Sequence, residues 1–139
     1  MLTLSFSMNQ PFPDNSFTFH ESINATYIID LYSADYIMIE ETFADVVNEY
    51  PSLVESIEAA WVSGDVTSLK RAVHKIKPLF GFVGLTAIHS QCLHFENACE
   101  ATPSLAILTP EFTLLKNTLI QTRSIIEKEK ERLALFNSR

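Results

Sequence analysis

Glycine is scarce in this sequence, with only Gly64, Gly81 and Gly84 among 139 residues. There is no glycine-rich loop to cradle a nucleotide phosphate and no kinase signature, so neither ATP binding nor autophosphorylation is expected. Cysteine is scarcer still: Cys92 and Cys99 are the two present. Two turns of one helix would hold them ~10 Å apart, too far for a disulfide, so they read as buried free thiols suited to a reducing compartment. No stretch reaches the ~18 apolar residues of a membrane span, and the N-terminus lacks a basic region leading into an apolar run and a small-residue cleavage site. A cytoplasmic protein without membrane contact is the expectation. Basic residues are the minority, ten against 17 acidic, for a formal charge of −7. That balance argues against nucleic acid as a partner.

What the chain does have is apolar content, 47% of its residues. With so few glycines this fits one mainly helical domain built on a single core. Residues 1–20 carry Pro11 and Pro13 among Asn9, Asp14 and Asn15, with no sustained period, and read as an irregular arm. Its Phe6, Phe12, Phe17 and Phe19 are expected to strap it onto the domain, which takes up residues 21–139, because exposed phenylalanines are a liability in a soluble monomer. A short helix fits Ser22 to Leu31, with Ile23, Tyr27 and Leu31 on one side. From Ala34 or Asp35, Ile39, Phe43, Val46, Val47 and Tyr50 recur at helical spacing. Pro51 is expected to stop that helix and open a shorter one from Ser52 to Val62, ended by Ser63-Gly64.

Asp65 is a suitable N-cap for the next helix, whose Val66, Leu69, Val73, Ile76, Phe80 and Val83 share one apolar face. After Gly84 another helix runs to about Cys99, with Leu85, Ile88, Cys92, Phe95 and Cys99 as its core stripe. The last helix opens at Thr109 or Pro110 and buries Leu115, Leu119, Thr122, Ile126, Leu133 and Phe136. Glu127 to Arg132 alternate in charge and read as an exposed, self-paired face.

One residue stands apart from these stripes. His74 projects outside the apolar face of its helix, with Lys70 and Pro78 one turn to either side, Arg71 and Lys77 three residues away, and Gly81 seven residues on. Four of the ten basic residues lie between Lys70 and Lys77. The patch is local, sized for a phosphoryl group or an acidic partner. An imidazole nitrogen is a competent nucleophile near neutral pH, and a phosphoryl group on it would bring nearly two negative charges for Lys70, Arg71 and Lys77 to offset. The bare backbone of Gly81 would let another protein approach the ring.

The pattern His74-x-x-Lys77, then Gly81 and Gly84-Leu85, resembles the core of histidine-containing phosphotransfer (HPt) domains. The likeness extends from about Tyr36 to Glu100 in helix order and length, and its specific part is His74 to Leu85. It implies an all-α antiparallel four-helix bundle, with the N-terminal arm or short helix packed alongside. It also implies that His74 is the phosphoacceptor and Lys77 its neighbouring cation, with Lys70, Arg71, Pro78, Gly81 and Glu96 on the phosphoryl or partner-binding surface. Glu96 matches by its distance from His74 a carboxylate that in some members bonds the ring; an edge-of-core glutamate paired with solvent is the plainer alternative. Pro78 departs from the family, where many members carry glycine. It has no N–H for the carbonyl of His74, so a bend is expected there.

The function so implied is phosphorelay between receiver-domain aspartates, by a phosphocarrier more than an enzyme. It would need no cofactor of its own, since Mg²⁺ would belong to the receiver. The expected partners are a response-regulator receiver domain, a hybrid sensor histidine kinase, or both. The alternative is an adaptor of the same fold that binds a signalling partner without accepting phosphate, which Pro78 favours. A metal site from His89, Cys92, His94, Glu96 and Cys99 is not expected, because His94 lies about 200° around the helix from Cys92.

Overall fold

The computed structural model describes residues 16–102 and 104–139. Phe6 and Phe12 of the expected arm, with the rest of residues 1–15, lie outside the described residues. Among the described residues five helices follow in order: α1 (Ala25–Leu31), α2 (Tyr36–Ser63), α3 (Val66–Phe82), α4 (Thr86–Ala101) and α5 (Leu105–Asn137).

The four long helices form an antiparallel bundle, and the pairing of side chains fixes each direction. Between α2 and α5, Tyr36 meets Phe136, Tyr50 meets Leu119 and Trp61 meets Phe112, so one number rises as the other falls. Lys70 with Glu100 and Lys77 with Glu96 give α3 and α4 the same relation, as do Gln91 with Thr118 and His94 with Glu111 for α4 and α5. Short turns leave consecutive helices no other arrangement. Tyr50 sits at the centre. Its ring meets Phe80 of α3 edge to face, and its hydroxyl donates to the carbonyl of Leu119 on α5 at 2.7 Å.

The expected break at Pro51 does not occur. Helix α2 passes through Pro51 for 28 residues. An interior proline costs a helix about 3 kcal/mol, whereas Leu53 and Ile57, buried beyond it, each contribute about 1.5–3 kcal/mol by leaving water. Continuing the helix keeps those side chains in line with Val46 and Tyr50, and the packing outweighs the lost hydrogen bond. Helix α5 likewise begins earlier than Pro110. Leu105, Leu108 and Phe112 extend the apolar stripe backward, and Leu108 and Phe112 are buried. The hydroxyls of Thr109 and Thr113 donate to the carbonyls of Leu105 and Thr109, both at 2.9 Å.

The alternating run near the end of α5 is also not a uniformly solvated face. Glu129 is buried, accepts from the backbone N–H of His20 at 3.0 Å, and pairs with Arg132. Arg132 in turn donates to the carbonyl of Thr18 at 2.7 Å and lies over the Phe17 ring. Phe17 and Phe19 join Tyr36 and Phe136 in an aromatic cluster, so the end of the arm is strapped to α2 and α5. A polar residue once per turn can pair outward or be recruited inward, and local charge pattern does not distinguish the two.

Helix α1 buries Ile28; Tyr27 and Leu31, expected on its inner side, are exposed. The N–H of Asn24 donates to the carbonyl of Gly84 at 2.9 Å, and Ile23 and Ile28 press against the same glycine. Gly84 has φ +73°, and a Cβ there would overlap Ile28. Glycine is required on both counts. This contact fixes α1 beside the end of α3, where it helps to shape the candidate site.

Candidate functional site

Helix α3 begins where the Asp65 carboxylate accepts from the backbone N–H groups of Thr67 and Ser68 at 3.0 and 3.3 Å. The hydroxyl of Ser68 donates to the same carboxylate, and these bonds hold the Asp65 carboxyl below its usual range. Leu69, Val73, Ile76, Phe80 and Val83 are buried as their spacing requires, and Leu79 joins them. That face fixes the helix in rotation and turns His74 outward, with 67% of its side chain exposed. The helix runs unbroken past Pro78 to Phe82.

The opposite holds for Glu96, whose side chain is 6% exposed. It projects from α4 to His74 and Lys77 together. Oε1 lies 2.7 Å from His74 Nδ1, and Oε2 lies 2.8 Å from Lys77 Nζ. The first contact is a hydrogen bond. The second lacks hydrogen-bond alignment and is an ion pair. Lys77 is itself only 14% exposed, and its charge offsets that of the buried carboxylate. A carboxylate can only accept, so the ring nitrogen facing it carries the proton. Nδ1–H is thereby engaged, and Nε2 is the nitrogen with a free lone pair.

Two hollows lie along α3, one bordered by the imidazole and one beginning a turn beyond it at Pro78. Toward the start of α3 is a polar one of about 400 Å³, lined by Thr67, Lys70, Arg71, His74 and Glu96. Lys70, in its wall, pairs with Glu100, one turn beyond Glu96 on α4. The hydrogen bond from Lys70 holds the Glu100 carboxyl below its usual range, and the same bond raises the Lys70 ammonium above its own. Arg71 is exposed and pairs with no carboxylate among the described residues. Toward the end of α3 lies an apolar groove of about 490 Å³, walled by Tyr27, Leu31, Tyr32 and Met38 against Pro78, Gly81, Phe82 and His89. A Cβ on Gly81 would stand 3.9 Å from both His89 and the Tyr27 hydroxyl, so this glycine faces the groove and its walls.

The structure thus brings together His74, Lys77 and Glu96, with Lys70 and Arg71 on one side and Pro78 and Gly81 on the other. Sequence reasoning missed Glu100, Thr67 and the α1 wall of the groove. Glu100 was detectable as the next residue on the Glu96 face, at i+4. The groove was not, because it depends on where α1 docks. The thiols of Cys92 and Cys99 are pushed up by burial to about 12 and about 11, which leaves them poor nucleophiles. Among the described residues no three histidine, cysteine, aspartate or glutamate side chains gather as a metal site.

The Hpt domain family matches residues 41–125, a span that holds His74, Lys77, Gly81, Glu96 and Glu100. The chain belongs to the Hpt domain family. Hpt domains are phosphocarriers that work with receiver domains and histidine kinases in two-component signalling, and a phosphotransfer role there follows for this chain. Among solved structures, it is similar to the HPT domain from an Hpt sensor hybrid histidine kinase of Shewanella. The two share 18% sequence identity at a TM-score of 0.69, over 80% of this chain and 95% of that one. At that identity the likeness concerns the fold. Comparison with curated proteins gives no match. No helix of this Hpt domain, among the described residues, is long and apolar enough to cross a membrane.

Proposed function

We propose that this Hpt domain carries a phosphoryl group on Nε2 of His74 between receiver-domain aspartates. The observation that carries the reading is an exposed imidazole whose Nδ1 is held at 2.7 Å by a buried carboxylate. Nε2 attacks the acyl phosphate of a receiver in line. The N–P bond forms as the bond from phosphorus to the aspartate oxygen breaks, and the carboxylate leaves with the electron pair. Nδ1 keeps its proton throughout, and Glu96 offsets the charge that the ring acquires. Lys77 pairs with the other carboxylate oxygen of Glu96 in its buried position. The return step runs the same path in reverse, with Mg²⁺ supplied on the receiver.

Docking falls to the apolar groove. Tyr27, Leu31, Met38 and Phe82 are large apolar side chains left exposed on this groove, and Pro78 in its wall is one helical turn from His74. A receiver or hybrid-kinase surface of matching apolar character would cover them. The domain would serve as a monomeric cytoplasmic carrier comprising residues 21–139, without autokinase activity.

The test is transfer from a phosphorylated receiver to the wild-type chain and to His74→Gln. Loss of label in the variant with receiver binding retained supports the relay. Binding without any label on the wild-type chain would overturn it in favour of an adaptor.

A further inference from the structure

The carboxylates of α4 divide the cations of α3 unequally. Glu96 holds Lys77 in a nearly buried pair that also fixes the His74 ring. One turn on, Glu100 holds Lys70 in a pair open to solvent, with the side chains 39% and 71% exposed. Ring, ammonium and Arg71 border the same polar hollow. A phosphoryl group on Nε2 adds nearly two negative charges there. Lys77 is already committed to a carboxylate that cannot be left bare in the core. The exposed pair, by contrast, is cheap to break.

We propose that Lys70 is a positioning cation that exchanges partners, held by Glu100 while His74 is bare and released to the phosphoryl oxygens once the group arrives. Glu100 therefore acts as a placeholder for the phosphoryl group and sets how tightly the domain retains it. Arg71, which has no carboxylate to surrender, adds charge to the hollow without this exchange. Around Lys70 the other titratable groups are Glu96 and the thiol of Cys99, both buried. The proposal rests on the reading of His74 as the phosphoacceptor.

The two residues then have opposite effects, which a merely structural pair would not. The full chain is phosphorylated chemically with phosphoramidate, with His74→Gln as the control for other histidines, and the phosphorus resonance of phosphohistidine is followed through pH. A cation beside the group favours its dianion. Lys70→Met should raise the phosphoryl pKa by roughly half a unit, and Glu100→Gln should lower it by a smaller amount. In the double variant the effect of Glu100→Gln should vanish. Equal phosphoryl pKa values in wild type and Lys70→Met, or a fall in Glu100→Gln that persists undiminished without Lys70, would overturn the exchange while leaving His74 as phosphoacceptor. Absence of a His74-dependent resonance in the wild-type chain would overturn both. Far-ultraviolet spectra and urea midpoints of each variant show that the readout comes from folded protein.

Discussion

His74 Nδ1 and Glu96 Oε1 are 2.7 Å apart, with the ring two-thirds exposed and the carboxylate buried. The bond joins an outward group to the core. It orients the ring and selects the tautomer whose free nitrogen faces a partner. Replacing Glu96 by alanine would remove that hold and leave Lys77 a nearly buried cation without its counter-charge. We expect a loss of about 1–3 kcal/mol in urea denaturation. Transfer from a phosphorylated receiver should slow roughly ten- to hundredfold, as when other ring-orienting carboxylates are removed. Glu96→Gln should recover most of the packing and little of the rate.

The apolar groove and the imidazole make separable contributions. Leu31→Glu and Phe82→Glu alter exposed side chains and should leave stability within about 0.5 kcal/mol. Each should weaken transfer from a receiver by about tenfold or more, as expected for an anchor residue at a protein interface. Labelling of His74 by phosphoramidate should be unchanged in both, because a small donor has no use for the groove. Parallel assays with the two donors check this.

Gly84→Ala should be the most damaging of the three glycine-to-alanine changes. Its positive φ adds strain of about 1–3 kcal/mol, and overlap with Ile28 adds a similar amount. A combined loss of about 2–5 kcal/mol should appear as a lower urea midpoint. Gly81→Ala meets only ordinary contacts and should fold normally.

Stability should respond to acid through the cap of α3. Hydrogen bonds from Ser68 lower the Asp65 carboxyl in the folded chain, so its contribution is complete above the unfolded-state value of ~4. It is lost as pH falls from there through the lower folded value, where the carboxylate takes up a proton. Asp65→Asn should therefore flatten the fall in stability over this acidic range and leave the slope near neutrality unchanged, as measured by denaturation at a series of pH values.

The bundle was legible because apolar spacing survives in α3 and α4 with little interference: Leu69, Val73, Ile76 and Phe80, then Cys92, Phe95 and Cys99, lie inside as their periods require. Prolines misled where local backbone cost was weighed without the burial that offsets it, at Pro51 and at Pro110. The ring and its cations were legible from helical spacing, whereas Glu96 entered through its match to the family pattern, because its contact with the ring depends on how α4 faces α3. Glu129 was not legible, because its partner is the backbone of His20, 109 residues away. The groove beside His74 was hidden for a related reason: α1 turns Ile28 inward and Tyr27 outward, a choice made by its contact with Gly84.

The most direct measurement of the central claim is nuclear magnetic resonance of the chain labelled with ¹⁵N in its imidazoles and phosphorylated by a receiver. Phosphorus coupled to Nε2 of His74, on a label stable to base, labile to acid and absent from His74→Gln, is the predicted result. Phosphorus on Nδ1, on another histidine, or on no residue despite receiver binding would contradict it.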